Sequence, residues 1–283
     1  MRVSTQTSVL SKMFGDEKAI RILAGAGFDA IDYSMFGSSK ADSPVFGDDY
    51  ENYARQLKHI AEECGVCFNQ THAPFPSLKA NDEAYNQKIR PLIHRAIAVT
   101  SILGAKIVIV HPTAIPENKK EYNIEFFNSL IPFCKEYHVL VALENMFGSN
   151  QNNFQIIPNV CSTGKEFAEY IDALDPRYFT ACLDIGHAGL VGETAENMVR
   201  TLGHDRLKAL HVHDNNHLHD LHTLPFTQSL NWQEITAALK EIRYTGDFTF
   251  EADSFLKPFP AELIEPACQF MLATGRYLAA QCE

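Results

Sequence analysis

Short apolar runs alternate with longer segments of helical spacing along nearly the whole chain. Each run is short enough, and apolar enough, to be a buried β-strand, and the clearest is AKIVIV at residues 105–110. The predicted strands span residues 2–7, 28–33, 66–71, 105–110, 139–143, 179–187, 207–214 and 246–250.

Segments with an apolar face at helical spacing separate these strands. In residues 48–64, for example, Tyr53, Leu57, Ile60 and Ala61 fall on one face of a helix. The predicted helices span residues 16–26, 48–64, 81–103, 119–137, 163–173, 193–202, 231–243 and 260 to the end. Eight strand–helix repeats predict a parallel sheet that closes into a (β/α)8 TIM barrel. A barrel of about 250 residues is ordinary for one domain, so we expect residues 1–283 to form a single TIM-barrel domain.

Side chains that bind metal ions stand at or just after most of the predicted strand ends. They are His72, His111, Glu144, Asp184, His187, His211, His213 and Glu251. The carboxyl ends of barrel strands converge on one face, where barrel enzymes have their active sites. Carboxylate oxygen with imidazole nitrogen suits Mn²⁺, Co²⁺, Zn²⁺, Fe²⁺ or Mg²⁺. No cysteine is expected at a strand end pointing into this set, which disfavours a thiolate zinc site.

The simplest metal site takes one ligand from each of the last four strands: Glu144, Asp184, His211 and Glu251. A divalent ion there would polarise a substrate carbonyl and lower the pKa of the adjacent C–H. Glu144 and Glu251 could then pass a proton between faces of the substrate. This is the chemistry of aldose–ketose isomerisation or epimerisation through a metal-stabilised enediolate.

Several positions allow more than one interpretation. His211 and His213 alternate along a strand, so only one is expected to point into the barrel, and the spacing alone does not choose between them. Asp184 also suits the N-cap of a following helix. Asp220 and His222 lie in a histidine-rich loop that could instead be solvated and without function.

Net charge, cysteine content and the length of apolar runs disfavour several classes of protein. The net charge of −11 opposes a general attraction to nucleic acid, so no nucleic-acid partner is expected. Seven cysteines, an odd number in a long chain, do not suggest a disulfide framework. The chain shows neither a signal peptide nor an apolar run of membrane-spanning length, which favours a cytoplasmic protein without a membrane partner.

The order of HVHDNN after one strand, LDIGHAG one strand earlier, LEN before that and a closing glutamate resembles the xylose isomerase-like barrel superfamily. That superfamily includes tagatose and psicose 3-epimerases, inosose isomerases and dehydratases, and endonuclease IV. The resemblance implies that Glu144, Asp184, His211 and Glu251 bind one divalent ion (Mn, Co, Zn or Mg), with Glu144 and Glu251 as the acid/base pair. It also implies that His187 contacts a substrate oxygen. The implied substrate is a small sugar, sugar phosphate or polyol, and the implied assembly is a possible homo-oligomer.

The endonuclease IV branch provides an alternative, an abasic-site nuclease with three zinc ions. This chain has a residue of suitable type at every position that the resemblance implies: His72, His111, Glu144, Asp184, His187, His211, Asp220, His222 and Glu251. Against this alternative, residues 37–49 contain one lysine and three aspartates, which does not suit a DNA-binding loop. His72, His111, His187, His213, Asp220 and His222 are therefore assigned either to substrate or to further metal ions. A dehydratase or lyase of the same fold also remains open.

Overall fold

The computed structural model describes residues 1–36, 43–114, 119–150 and 152–283. Within these ranges, eight parallel strands pair in chain order, and the first also pairs with the eighth, with Val3 opposite Phe248. The strands are Val3–Gln6, Ala30–Ser34, Cys67–His72, Ile107–Ile109, Leu140–Glu144, Phe179–Asp184, Leu207–His211 and Phe248–Phe250. A parallel bridge between Val212 and Phe250 links the seventh strand to the eighth. The predicted TIM barrel is confirmed; part of the loop at residues 37–49 lies outside the described residues.

Helices follow the strands and cover the outer surface of the barrel. They are Ser8–Phe14, Asp16–Ala26, Tyr50–Glu63, Glu83–Leu103, Lys119–Ser129, Ile131–Tyr137, Gly164–Asp172, Ile185–Leu190, Ala195–Arg206, Trp232–Glu241 and Ile264–Gln281. The helix predicted over residues 119–137, with an interruption near Pro132, is divided at Leu130. Pro132 lies in the first turn of its second part, where its missing N–H costs nothing. The seven-residue helix Ser8–Phe14 was not predicted, because it is too short to show periodicity.

Strand residues alternate between the outer core and the barrel interior. Val3 and Phe250 are fully buried and pack outwards against the last helix. Gly275 permits this close packing, because a Cβ there would lie 2.6 Å from Val3 Cγ1 and 2.7 Å from Phe250 Cε2. Facing inwards, Ile109, Ala142, Cys182 and Ala209 form a separate buried apolar cluster. This small apolar cluster lies one layer beneath the polar side chains at the strand ends.

A two-stranded antiparallel hairpin lies beside the carboxyl end of the barrel. It pairs Phe147–Ser149 with Ile156–Pro158. No strand was predicted between residues 143 and 179, so this hairpin was missed by the sequence analysis. Each strand has three residues, and the asparagine-rich segment between them hides the pattern of a hairpin. The hairpin brings Phe147 to the mouth of the barrel.

All seven cysteines are free thiols, which agrees with the absence of a predicted disulfide framework. Among the helices in the described ranges, none is both long and apolar enough to cross a lipid bilayer.

Candidate metal centre

Four strands bring Glu144, Asp184, His211 and Glu251 together at the carboxyl end of the barrel. One potential ligand atom from each lies within 4.8 Å of those of the other three. All four residues are buried. Metal–ligand bonds of about 2.0–2.2 Å place opposed ligands about 4 Å apart, so small adjustments of the side chains would complete a metal site.

His211 lies between the two glutamates of this set. Its Nδ1 is 3.1 Å from Glu144 Oε2 and 3.1 Å from Glu251 Oε2. Neither His211 Nδ1 nor Glu144 Oε2 has a hydrogen-bond partner among the described residues, although both atoms are buried. Two carboxylate oxygens at this distance from one imidazole nitrogen are stable only with a positive charge among them, either a proton or a metal ion.

The electrostatic environment keeps both glutamates ionised. Burial raises the pKa of Glu144, but the positive charges of His211 and His111 outweigh burial and hold that pKa well below its usual range. Burial likewise raises the pKa of Glu251, and His211 reverses the effect, so its pKa also falls well below the usual value. Both carboxylates are therefore available as metal ligands or as proton acceptors at neutral pH.

Asp184 caps a helix and also presents a carboxylate oxygen that has no partner among the described residues. Its Oδ1 accepts a hydrogen bond from the backbone N–H of His187 (2.6 Å), which caps the helix Ile185–Leu190. The same oxygen lies 3.0 Å from His213 Nε2. The other oxygen, Oδ2, is buried and has no partner within the described part of the chain. A helix cap and a free ligand atom are thus combined in one carboxylate.

A second group of potential ligands lies next to the first and consists of His187, His213, Asp220 and His222. His222 Nε2 is 2.9 Å from Asp220 Oδ2, and His213 Nε2 is 3.7 Å from Asp220 Oδ1. Burial lowers the pKa of His222, but the hydrogen bond to Asp220 raises it more, to about 10. The loop carrying Asp220 and His222 thus packs onto the barrel mouth, whereas a solvated loop had been the alternative.

The expectation that only one of His211 and His213 points into the barrel is wrong. The regular strand ends at His211, so strict alternation does not extend to His213. The His213 ring packs directly on Gly186, where a Cβ would lie 1.9 Å from His213 Cε1. Glycine at position 186 therefore allows His213 to reach Asp184.

His72 and His111 complete the surroundings of Glu144. His111 Nε2 lies 3.2 Å from Glu144 Oε2, and His72 Nε2 lies 3.8 Å from the same oxygen. Burial and the neighbouring His111 lower the pKa of His72 to about 4, so His72 is neutral at physiological pH. Both histidines face Glu144 and can contact either a substrate or a metal ion.

One cysteine lies close to the ligand set, although it stands within a strand and not at a strand end. The Sγ of Cys182 lies within 4.8 Å of ligand atoms of Glu144 and His211. Cys182 precedes Asp184 by two residues, so it faces inwards from one layer below. Burial raises the pKa of its thiol to about 12, so the side chain is a neutral thiol.

A cavity of about 310 Å³ opens directly above these residues. Glu144, Glu251 and His187 line it together with Phe75 and Phe147. Phe75 forms an edge contact with His111, and Phe147 forms one with His187. Phe75 and Phe147 therefore form walls of the cavity, and Phe147 was missed because it belongs to the unpredicted hairpin.

Three further polar residues support the site and were missed by the sequence analysis. Gln6 Nε2 donates to Glu251 Oε1 (2.8 Å), Asp32 Oδ2 lies 3.3 Å from His211 Nε2, and Asn145 hydrogen-bonds to the backbone of Asp184. Gln6 and Asp32 are inward-facing polar residues on the first two strands. That alternation was a usable signal, but both residues lie within the predicted strands 2–7 and 28–33, whereas the ligand search considered residues at or just after strand ends.

Comparisons with known proteins agree with this architecture. The family model described as xylose isomerase-like TIM barrel matches residues 20–273. The chain is 31% identical over 193 residues to an uncharacterised protein of Methanocaldococcus jannaschii. That match covers 64% of this chain and 62% of the archaeal protein, so it spans less than two thirds of the length of that relative.

Solved structures share the fold over the whole chain. A D-tagatose 3-epimerase-like protein superposes with a TM-score of 0.73 at 21% identity, with complete coverage of both chains. The IOLI protein, solved with a binding zinc atom, superposes with a TM-score of 0.71 at 16% identity, covering 100% of this chain and 98% of that protein. At these identities the similarity establishes a shared fold.

Proposed function

The chain belongs to the xylose isomerase-like TIM barrel family, and we propose that it is a divalent-metal-dependent isomerase or epimerase of a small sugar, sugar phosphate or polyol. The main support for this proposal is the position of His211 Nδ1, which lies beneath the cavity and between the two glutamates. It is 3.1 Å from an oxygen of Glu144 and 3.1 Å from an oxygen of Glu251. One structural neighbour is a D-psicose 3-epimerase crystallised with D-fructose, which supports the proposed class of substrate.

The ligands proposed for the catalytic ion are Glu144, Asp184, His211 and Glu251. The unpartnered buried atoms Glu144 Oε2, Asp184 Oδ2 and His211 Nδ1 support this assignment, because a buried polar atom without a partner is costly. The mixed oxygen and nitrogen donors suit manganese, cobalt, zinc or magnesium. A bound ion would polarise the substrate carbonyl, lower the pKa of the neighbouring C–H and stabilise the negative charge of an enediolate.

Glu144 and Glu251 perform the proton transfers in this proposal. Both line the cavity, and both have a pKa well below the usual range, so each begins the reaction as a base. One carboxylate removes the proton from the carbon beside the substrate carbonyl. The carboxylate that took up the proton returns it to the substrate, or the proton first passes to the other carboxylate, which then returns it. Return to the opposite face inverts a carbon centre, and return to the adjacent carbon moves the carbonyl.

The cavity walls orient the substrate and limit access of water. Phe75 and Phe147 offer apolar surface to the C–H face of a sugar. His187 lines the cavity, and its Nδ1 is 2.9 Å from the backbone carbonyl of Asn145, which fixes the ring. His187 Nε2 lies 3.8 Å from Asp220 Oδ2, and in this proposal it contacts a substrate hydroxyl. A volume of about 310 Å³ suits a small ligand rather than a polymer.

Removal of the Glu144 carboxylate tests the catalytic assignment. Glu144→Gln should abolish turnover on a panel of ketoses and aldoses while the far-ultraviolet circular dichroism stays that of the native barrel. Glu62→Gln is the control, since Glu62 is an exposed helix residue whose carboxylate pairs with Lys58 on the same helix. Near-native turnover by Glu144→Gln would overturn the assignment.

An abasic-site nuclease is a second candidate function. It is favoured by the several overlapping groups of potential ligands, which include His72 with His111 and Glu144, the four-residue set, and the group containing Asp220 and His222. Elemental analysis of protein purified without chelator separates the candidates. We expect about one tightly bound divalent ion per chain and no incision of an abasic duplex. Three zinc ions per chain together with incision would replace the isomerase proposal by the nuclease.

A further inference from the structure

Asp32 contacts the side of His211 that faces away from the two glutamates. Asp32 Oδ2 lies 3.3 Å from His211 Nε2, and both side chains are fully buried. Asp32 Oδ1 has no hydrogen-bond partner in the described ranges. A buried carboxylate in this position interacts directly with the imidazole and with any positive charge beyond it.

The contact determines which nitrogen of His211 carries a proton. An ionised carboxylate only accepts hydrogen bonds, so the nitrogen facing Asp32 must be Nε2–H. A neutral ring then has its lone pair on Nδ1, the atom that lies 3.1 Å from both Glu144 Oε2 and Glu251 Oε2. A metal ion that binds this lone pair would be shared with the two glutamates.

The barrel wall is shaped to place Asp32 there. Pairing between the second and third strands shifts by one residue after Ile31, so Asp32 lies opposite Gln70 rather than Asn69. Gln70 Nε2 donates to Asp32 Oδ2 at 3.0 Å, which holds the carboxylate against the interior. Such a bulge re-aims a side chain at the expense of regular pairing.

We propose that Asp32 is a positioning residue that fixes His211 in the Nε2–H tautomer and thereby presents Nδ1 to a divalent metal ion. The inference rests on the proposed function, because it requires a metal at the four-residue set. Carboxylates that accept from the second nitrogen of a metal-bound histidine orient the ring and raise its basicity. Their removal typically weakens metal binding about 10–100-fold.

The test compares the affinity of the full-length protein for Zn²⁺ by competition with a chromophoric chelator. Asp32→Asn keeps the size of the side chain and removes its charge, and we expect it to bind the first Zn²⁺ about 10–100-fold more weakly than the wild type. Asp29→Asn is the matched control, because Asp29 precedes the same strand and contacts Arg276 and the Val3 backbone. We expect Asp29→Asn to bind Zn²⁺ with unchanged affinity.

A double-mutant cycle shows whether the effect passes through His211. In a His211→Ala background, Asp32→Asn should change Zn²⁺ affinity by less than about twofold, because the ring that Asp32 orients is gone. An equal loss in both backgrounds, or wild-type affinity in Asp32→Asn alone, would overturn the inference while leaving the proposed metal site intact. A wild-type protein that binds no divalent ion would instead overturn the proposed function and this inference together.

A measurement on the unmodified sequence covers the case in which Asp32→Asn does not fold. Zinc-loaded wild-type protein labelled with ¹⁵N-histidine reports each tautomer through two-bond correlations of the ring, with His211 assigned by comparison with His211→Gln. We expect His211 to show protonated Nε2 and zinc-shifted Nδ1. A ring protonated on Nδ1 with Nε2 bound to zinc would contradict the inference.

Discussion

Asn145 holds the backbone of Asp184 at two points. Its Oδ1 accepts from Asp184 N–H at 2.7 Å, and its Nδ2 donates to Asp184 C=O at 2.9 Å. Asn145 follows Glu144 directly, so one short segment supplies a potential ligand and also fixes the strand end that carries another. The two residues are buried and lie 39 positions apart in the chain.

Loss of this clamp should loosen the metal site. Asn145→Ala leaves two buried backbone groups without partners, and we expect it to destabilise the fold by about 1–3 kcal/mol and to weaken metal binding. Asn86→Ala is the control, because Asn86 forms the same two-point clamp on Lys79, away from the ligands. Urea unfolding should give similar losses for both variants, while chelator competition should detect weaker metal binding only for Asn145→Ala. Equal metal affinity in the two variants would contradict this role.

Gly186 provides the space that His213 occupies. Gly186→Ala would place a methyl group 1.9 Å from His213 Cε1, so the ring must move away from Asp184. We expect a loss of about 1–3 kcal/mol of unfolding free energy from this overpacking. Gly25→Ala is the control, because the nearest atom to its added Cβ is 3.8 Å away, so no overpacking is expected there. Glycine within a helix is also less favourable than alanine. A Gly186→Ala protein as stable as the wild type would show that the His213 ring does not occupy this position.

Gln6 should tune the proton-transfer role of Glu251. Its Nε2 holds Glu251 Oε1 at 2.8 Å, leaving Oε2 directed at His211. We expect Gln6→Leu to lower kcat by about 10–100-fold, corresponding to loss of one hydrogen bond to a charged group, with a smaller change in KM. The exposed Gln56→Leu serves as the control. A rise in KM with unchanged kcat would indicate that Gln6 acts on binding instead.

His94 should make stability depend on pH independently of the metal site. It is half-buried, its ring stacks on Phe133, and burial followed by the charge of Arg90 lowers its pKa. Because the unfolded chain binds a proton more readily, the stability from this group is present above about pH 6.5 and is lost as pH falls through that value. His94→Gln should therefore show a shallower decline than the wild type in urea unfolding with chelator between about pH 8 and pH 5. Parallel profiles would contradict the lowered pKa.

The sequence predicted the barrel because each strand is a short apolar run and each helix has a distinct apolar face. The ends of those runs also drew attention to Glu144, Asp184, His211 and Glu251, which the structure brings together. The contacts that the sequence analysis missed join residues that are far apart in the chain. Asp32 contacts His211, which lies 179 positions later in the chain, and no local sequence pattern predicts that contact.

Short or irregular segments account for the remaining errors. The three-residue strand Phe147–Ser149 is too brief for alternation to stand out. The inward direction of His213 depends on the end of the strand at His211 and on the space left by Gly186. Cys182 was overlooked because the search for ligands considered only residues at the strand ends, and Cys182 lies one layer below them.

Exchange of substrate hydrogen with solvent tests the central proposal most directly. Wild-type protein, chelator-treated protein and Glu144→Gln would each be incubated with a panel of ketoses in D₂O, and deuterium at the carbon beside the carbonyl would be measured by NMR. The proposed function predicts incorporation that requires a divalent ion, returns when the ion is restored, and disappears in Glu144→Gln. Incorporation that persists after chelation or in Glu144→Gln, or its absence across the panel with metal bound, would contradict a metal-dependent proton transfer at this site.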